Sequence, residues 1–147
     1  MARPWNILFA DDSVAHVQIA REALSRPGVV DHRLAVAATG ADALDRIFRR
    51  PPYEATRRPD LLLLDLDLPV VSGLDVLAAM KADPDARAIP VVVLTRAPSP
   101  EDLAACYARG ANSVVDYPIP LEDLAETFRS VVGYWTGLNA LARGAGR

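Results

Sequence analysis

Three aspartates and a threonine directly follow or end short apolar runs, a placement in which polar side chains can act together. Asp11 and Asp12 follow the first run, Asp65 follows four consecutive leucines, and Thr95 ends a third run. Carboxylates held close together repel one another unless a cation joins them, and Mg²⁺ prefers oxygen ligands of this kind. A carboxylate beside such a cation can attack a phosphoryl group, and a hydroxyl such as that of Thr95 can donate to the transferred group.

The apolar runs are predicted to be strands of one parallel sheet. Residues 61–64 and 89–94 are apolar without alternation, which is typical of strands covered by helices on both faces. Residues 33–37 alternate, which favours a strand at the edge of the sheet. Five such strands alternate with five helical patterns, and this alternation predicts a parallel sheet with right-handed crossovers.

We therefore expect an α/β fold of the flavodoxin-like (βα)5 type, a doubly wound parallel sheet with strand order 2-1-3-4-5. In this order the first, third and fourth strands are neighbours. Their carboxyl ends meet at one edge of the sheet, where proteins of this class bind ligands. Asp11, Asp12, Asp65 and Thr95 should consequently lie close together.

The composition limits the class of protein. A chain of 147 residues is long enough for a single domain, residues 1–147, and its 51% hydrophobic content favours a compact fold. A net charge of −3 gives no sign of binding to nucleic acid or to an anionic membrane. No apolar run approaches the ~20 residues that span a bilayer, and the amino terminus lacks a signal-peptide pattern. One cysteine excludes an internal disulfide, and we expect a cytoplasmic protein.

In type and order, the motifs resemble the receiver domain of two-component response regulators. The resemblance covers nearly all of the chain and depends on Asp11-Asp12, Asp65 with Leu68-Pro69 and Gly73, the strand ending in Thr95, and Gly110-Ala111-Asn112. It implies that Asp65 is the phosphoacceptor and Thr95 the switch hydroxyl. It also implies that Asp12, Asp65 and the backbone carbonyl of Asp67 hold Mg²⁺, with Asp11 acting mainly through water.

Such a receiver accepts phosphate from a histidine kinase and is not an enzyme beyond self-phosphorylation and self-dephosphorylation. A closer resemblance, to the small regulators that partner bacterial phytochrome kinases, depends on Arg21-Glu22-Ala23-Leu24, residues 89–95, Tyr107, Gly110-Ala111-Asn112-Ser113 and Tyr134-Trp135. It implies a bacteriophytochrome as the kinase. A histidine phosphotransfer protein is the candidate partner downstream.

Several positions depart from the receiver pattern. Tyr117 stands where the family has a lysine, so a neutral phenol replaces an ammonium group. Val114 stands where the family has the aromatic switch residue. Arg96 replaces a small residue, and its guanidinium is a candidate source of the missing positive charge. His16, one helical turn after Asp12, is within reach of the site, but we expect it to have a structural role.

Apolar residues recur at spacings of three or four from Leu121 onward, which predicts a carboxyl-terminal helix over about 121–142. That helix is longer than a small sheet needs, and its distal half would expose an apolar patch in a monomer. We expect a homodimer through the fourth helix, the fifth strand and the fifth helix. Because so little sequence follows, we expect signalling through a partner protein rather than through an output domain.

Two alternatives compete with phosphorylation at Asp65. A pseudo-receiver would dimerise or dock without being phosphorylated, and the Tyr117 and Val114 departures favour it. A haloacid-dehalogenase-type phosphatase is suggested by Asp65-Leu66-Asp67. That class places its Asp-x-Asp motif on the first strand and its paired acids last, the reverse of the order in this sequence.

Overall fold

The structure, a computed structural model, describes residues 3–117 and 120–141. Its centre is a parallel sheet in the order β2-β1-β3-β4-β5. The strands are β1 Trp5–Ala10, β2 His32–Ala37, β3 Leu61–Leu64, β4 Val91–Thr95 and β5 Ser113–Asp116. The helices are α1 Val14–Leu24, α2 Gly40–Ile47, α3 Gly73–Lys81, α4 Pro100–Ala108 and α5 Leu124–Gly133. The predicted flavodoxin-like fold and strand order are confirmed, including the edge position of β2.

The leucine strand β3 is buried on both of its faces. Leu62 and Leu64 pack toward α2, α3 and α4, while Leu61 and Leu63 pack toward α1 and α5. All four side chains are 0% exposed. The unbroken run of leucines therefore reflects a strand that faces two separate apolar layers.

Polar residues in short turns fix where the helices begin. The Ser13, Thr39 and Ser72 side chains each accept a hydrogen bond from a backbone N–H in the first turn of the following helix. Ser99 and Asp102 form a reciprocal capping box at the start of α4, with Pro100 at the first helical position. These caps place α1, α2, α3 and α4 directly after the strand end or loop that precedes each of them.

The carboxyl-terminal helical segment is extended, as predicted, but it ends earlier than residue 142. It opens with a 3₁₀ turn at Leu121–Asp123, continues as α5 and closes with a π turn at Tyr134–Leu138. Asn139 already has extended backbone angles, and residue 142 lies outside the described residues. Within the described ranges, no helix combines the length and apolar character needed to cross a bilayer.

Candidate functional site

The sheet register brings the predicted acidic residues to one point. Ala10 at the end of β1 pairs with Leu64 at the end of β3, so the residues that follow them are neighbours. The Asp65 backbone N–H donates to the Ala10 carbonyl at 2.9 Å. Asp11, Asp12 and Asp65 each offer a carboxylate oxygen, and these oxygens all lie within 4.8 Å of one another.

Asp11 and Asp12 have different surroundings although they are adjacent in sequence. The buried Asp11 accepts a hydrogen bond from the Ser13 N–H at 2.7 Å through Oδ1, and its Oδ2 lies 2.9 Å from His16 Nδ1. Asp12 is exposed, and Ser13 rather than Asp12 caps α1. Because both Asp11 oxygens are engaged, Asp12 is better placed to bind a cation directly.

The electrostatics of Asp65 indicate a site that favours positive charge. Burial, followed by the neighbouring Asp11 carboxylate, raises the pKa of Asp65 to about 6. Both effects penalise the ionised carboxylate, and a cation between the acidic groups would reverse the second of them. Three carboxylate oxygens within reach of one another suit a hard divalent cation such as Mg²⁺ or Mn²⁺.

The loop after β3 is held close to the acidic site by a glycine. The Gly73 N–H donates to the Leu66 carbonyl at 2.9 Å. A Cβ atom at position 73 would lie only 2.7 Å from Leu66 Cα, so only glycine allows this approach. In the same loop the exposed Asp67 donates its backbone N–H to Asp65 Oδ1 at 3.3 Å. Gly73 therefore helps to fix the backbone from which Asp65 and Asp67 extend.

Thr95 and Tyr117 lie beside the acidic site on β4 and on the segment after β5. Thr95 is buried at the end of β4, and its carbonyl accepts the Tyr117 N–H at 2.9 Å. Burial, and then the charges of Asp65 and Asp11, raise the pKa of the Tyr117 phenol, whereas Arg96 lowers it. The Tyr117 hydroxyl is therefore a neutral hydrogen-bond donor at physiological pH.

Arg96 and Val114 are less closely tied to the site. Arg96 is exposed, and its positive charge lowers the pKa of Tyr117. Val114 is partly buried within β5, and its backbone N–H donates to the exposed Tyr107 hydroxyl at 3.2 Å. Because residue 114 is a valine, this position has no aromatic ring that could move together with Thr95.

His16 lies at the site, within the reach that its position one helical turn after Asp12 predicts. In addition to its contact with Asp11, its ring meets the Tyr117 ring edge to face, with centroids 5.4 Å apart. His16 therefore connects α1 with Asp11 and with Tyr117 in the segment after β5. The available signal was its position in the first turn of α1, which directs its side chain back toward the end of β1.

A family model for the response regulator receiver domain matches residues 7–129. The chain belongs to the response regulator receiver family. The predicted family is thereby confirmed, and family membership does not favour the phosphatase alternative.

Known receivers of similar sequence and structure include phytochrome regulators. Response regulator Rcp1 of Synechocystis sp. PCC 6803 is 35% identical over 132 residues, which cover 90% of this receiver and 89% of Rcp1. The Mn²⁺-bound Rcp1 structure has a TM-score of 0.89 over 95% of this chain and 100% of that one. The phosphorylated cyanobacterial phytochrome response regulator RcpA has a TM-score of 0.91 at 29% identity, over 96% of this chain and 100% of RcpA.

Similarity of this degree is not restricted to phytochrome regulators. A probable methanogenesis regulatory protein, FilR2 of Methanothrix harundinacea, is 38% identical over 136 residues, which cover 92% of this chain and 86% of FilR2. The receiver is thus related to Rcp1, to FilR2 and to the phytochrome response regulator RcpA.

Proposed function

We propose that this receiver is a stand-alone response regulator that accepts a phosphoryl group from a histidine kinase on Asp65 and signals through protein–protein contacts. The observation that carries the proposal is the meeting of three carboxylates at the ends of β1 and β3. Two relatives add support, because Rcp1 was crystallised with Mn²⁺ and RcpA was crystallised in a phosphorylated form.

In the proposed reaction, an Asp65 carboxylate oxygen attacks phosphorus, a P–O bond forms, and the P–N bond to the kinase histidine breaks. The pKa of Asp65, raised to about 6, still leaves most of this carboxyl ionised at pH 7. Asp12, Asp65 and the Asp67 carbonyl would hold Mg²⁺, with Asp11 acting mainly through water. The ion supplies positive charge to the acceptor and to the phosphoryl oxygens.

Hydrogen-bond donors of the chain would stabilise the transferred group. The Thr95 hydroxyl lies at the end of the neighbouring strand, and the neutral Tyr117 phenol provides one further donor. Because Tyr117 carries no charge, we propose that the Arg96 guanidinium supplies part of the positive charge. If Arg96→Ala leaves the phosphorylation rate and the phosphate lifetime unchanged, this role of Arg96 is wrong.

The decisive experiment asks whether Asp65 is phosphorylated. The protein is incubated with Mg²⁺ and acetyl phosphate or a histidine kinase, and acid-stable, base-labile phosphate is measured. We expect incorporation that is lost in Asp65→Asn and retained in the matched variant Asp31→Asn, which changes an exposed acid at the other end of the sheet. If the unmodified protein incorporates no phosphate, the result favours the pseudo-receiver. The departures from the receiver pattern at Tyr117 and Val114 support that alternative.

We propose that the phosphate donor is a bacteriophytochrome kinase and that the receiver acts in the cytoplasm; the similarity to the phytochrome response regulator RcpA supports this partner. A histidine phosphotransfer protein is the proposed acceptor downstream. Phosphotransfer from a purified phytochrome kinase should exceed transfer from an unrelated histidine kinase at equal concentration. Equal rates from both kinases would contradict the assignment of the partner.

We also propose that α4, β5 and α5 form a homodimer surface. Tyr107 on α4 is 52% exposed, and Tyr134 and Leu138 after α5 are 49% and 85% exposed. Exposed apolar groups of this size are typical of an interface. Light scattering should give twice the monomer mass for the unmodified protein and the monomer mass for Leu138→Asp. Val14→Asp changes a side chain on α1 that is 75% exposed and should leave the dimer intact, and a monomeric unmodified protein would refute the proposal.

A further inference from the structure

A cavity of about 520 Å³ lies at the end of the sheet opposite to the acidic site. Asn6 and Arg33, paired near the starts of β1 and β2, line it, whereas Asp11 and Asp65 follow the strand ends. Its volume is within the range of roughly 300–1,000 Å³ that small-molecule sites occupy. This cavity, which we call the arginine cavity, is separate from the phosphoacceptor site.

The floor and one wall of the arginine cavity are apolar. Leu8 on β1 and Ala35 on β2 are register partners and lie side by side beneath it, and Pro59 contributes from the segment before β3. Asn6 holds that segment in place, because its Nδ2 donates to the Arg57 carbonyl at 3.0 Å and to the Arg58 carbonyl at 3.1 Å. The cavity is therefore preformed by hydrogen bonds to β1.

Three arginines, Arg33, Arg46 and Arg57, surround this apolar floor. Arg46 is already engaged, since its Nε donates to Asp42 at 3.1 Å and its guanidinium lies 4.3 Å from the centre of the Tyr53 ring. Arg33 is exposed at the mouth and forms no ion pair with the described residues. The cavity therefore retains positive charge that nearby acids do not neutralise.

Arg57 provides the strongest indication of a ligand. Its Nη2 donates to the Pro4 carbonyl at 3.2 Å, but its Nη1 is buried and has no hydrogen-bond partner among the described residues. Burying a charged hydrogen-bond donor without a partner costs more free energy than burying an unpaired neutral donor. Two acids lie three positions from Arg57 in sequence. Glu54 is exposed, and Asp60 accepts the Asn6 N–H at 2.8 Å and lies 3.5 Å from Arg3. Because Nη1 has almost no surface accessible to solvent, an anion in the cavity would have to draw the Arg57 side chain toward it in order to complete this hydrogen bonding.

We propose that the arginine cavity binds a small organic anion, in which a phosphate, phosphonate or carboxylate group meets Arg57 and Arg33 and an apolar body covers Leu8 and Ala35. Planar guanidinium groups match the oxygens of such anions. The apolar floor and the volume favour an organic ligand over an inorganic ion, which would leave most of the cavity unfilled.

The test uses the full chain in EDTA without Mg²⁺, with phenylphosphonate as the probe because its P–C bond prevents phosphoryl transfer. Amide chemical shifts of ¹⁵N-labelled protein are followed during titration. We expect saturable shifts at Leu8, Ala35 and Arg57 with a Kd on the order of 1 mM, as suits a probe of this size. Inorganic phosphate and the uncharged benzyl alcohol should each bind at least about fivefold more weakly.

Matched variants separate specific recognition from general attraction to charge. Arg57→Gln should weaken phenylphosphonate binding at least about fivefold. Arg33→Gln should weaken it as well, and because Arg33 is exposed this variant keeps the fold even if Arg57→Gln does not. Arg21→Gln removes an exposed arginine from α1 and should leave the affinity unchanged.

Four results would overturn the proposal. They are the absence of saturable shifts around the cavity, shifts centred on Asp12 and Thr95 instead, equal weakening by Arg21→Gln, and binding of inorganic phosphate or benzyl alcohol as tight as that of phenylphosphonate. The test does not involve phosphorylation of Asp65, so its outcome is independent of the proposed function.

Discussion

The metal-free protein should become more stable when Asp65 is replaced by asparagine. The pKa of Asp65 is raised from 3.8 to about 6, first by burial and then by Asp11. Between these two values the folded state binds more protons than the unfolded state, so stability falls as pH rises through this window. Above pH 6 the full penalty of the ionised carboxylate is present, and an asparagine, which cannot ionise, does not carry it.

The size of this effect follows from the pKa difference. A difference of about two units corresponds to roughly 3 kcal/mol, and because Asp65 is only partly buried, screening by solvent reduces this to about 1–2 kcal/mol. For a chain of this length the increase in Tm should be roughly 3–6 °C. The gain for Asp65→Asn should be complete at pH 7, should decline below pH 6 and should disappear near pH 4.

Thermal unfolding followed by circular dichroism in EDTA measures this difference across pH 4 to 8. Asp31→Asn serves as the control, because Asp31 is exposed and remote from the acidic site, and it should change Tm by less than about 1 °C. Added Mg²⁺ should raise the Tm of the unmodified protein more than that of Asp65→Asn, because a ligand that binds only the folded state stabilises it.

Two results would refute the reasoning. If metal-free Asp65→Asn is less stable than the unmodified protein at pH 7, then Asp65 makes a favourable contact that outweighs its burial and the repulsion from Asp11. If the difference is present at pH 7 but does not shrink toward pH 4, then ionisation of Asp65 is not its cause.

Three further predictions concern the positions around the site. Gly73→Ala should lower the free energy of unfolding by about 1–3 kcal/mol in urea titrations, because the new Cβ meets the Leu66 backbone. Gly133→Ala should raise the free energy of unfolding by about 0.5–1 kcal/mol, because its Cβ meets no neighbour. Equal effects of the two substitutions would contradict this reasoning. Ser99→Ala should cost about 1 kcal/mol in the same assay through loss of the α4 capping box, and an unchanged midpoint would contradict this. Tyr117→Lys should accelerate phosphorylation from acetyl phosphate about tenfold, a change of roughly 1.4 kcal/mol in barrier, and Tyr117→Phe should slow it. A Tyr117→Lys variant slower than the unmodified protein would show that the phenol is the better donor, and a Tyr117→Phe variant as fast as the unmodified protein would show that the phenol has no such role.

The fold was predictable because local and global signals agree in this sequence. The leucines of β3 are apolar in an unbroken run, and such a run is stable in a sheet only when helices cover both faces. Thr39, Ser72 and Ser99 mark helix starts by their hydrogen-bonding chemistry, which operates within a few residues of sequence. The meeting of Asp11, Asp12 and Asp65 then follows from strand order alone.

Features that depend on side-chain packing between distant segments were not predictable in the same way. The contact of His16 with Tyr117 joins residues about a hundred positions apart, and no local pattern encodes it. The unpartnered nitrogen of Arg57 likewise depends on how the segment before β3 lies on β1. The sequence predicts a later end for the last helix than the structure has, because the apolar spacing continues past Asn139, where the backbone is already extended.

A phenol at position 117, where the receiver pattern predicts a lysine, would change how charge is balanced in this receiver. Asp11, Asp12 and Asp65 bring three carboxylates together, and Arg96 acts on the site from an exposed position. A neutral phenol can donate a hydrogen bond to a phosphoryl oxygen but cannot offset the repulsion among these acids. In the proposed reaction the divalent cation must therefore carry a larger share of the positive charge than it does where a lysine is present. The edge-to-face contact between the His16 and Tyr117 rings then links the phenol to Asp11, because His16 Nδ1 lies 2.9 Å from Asp11 Oδ2.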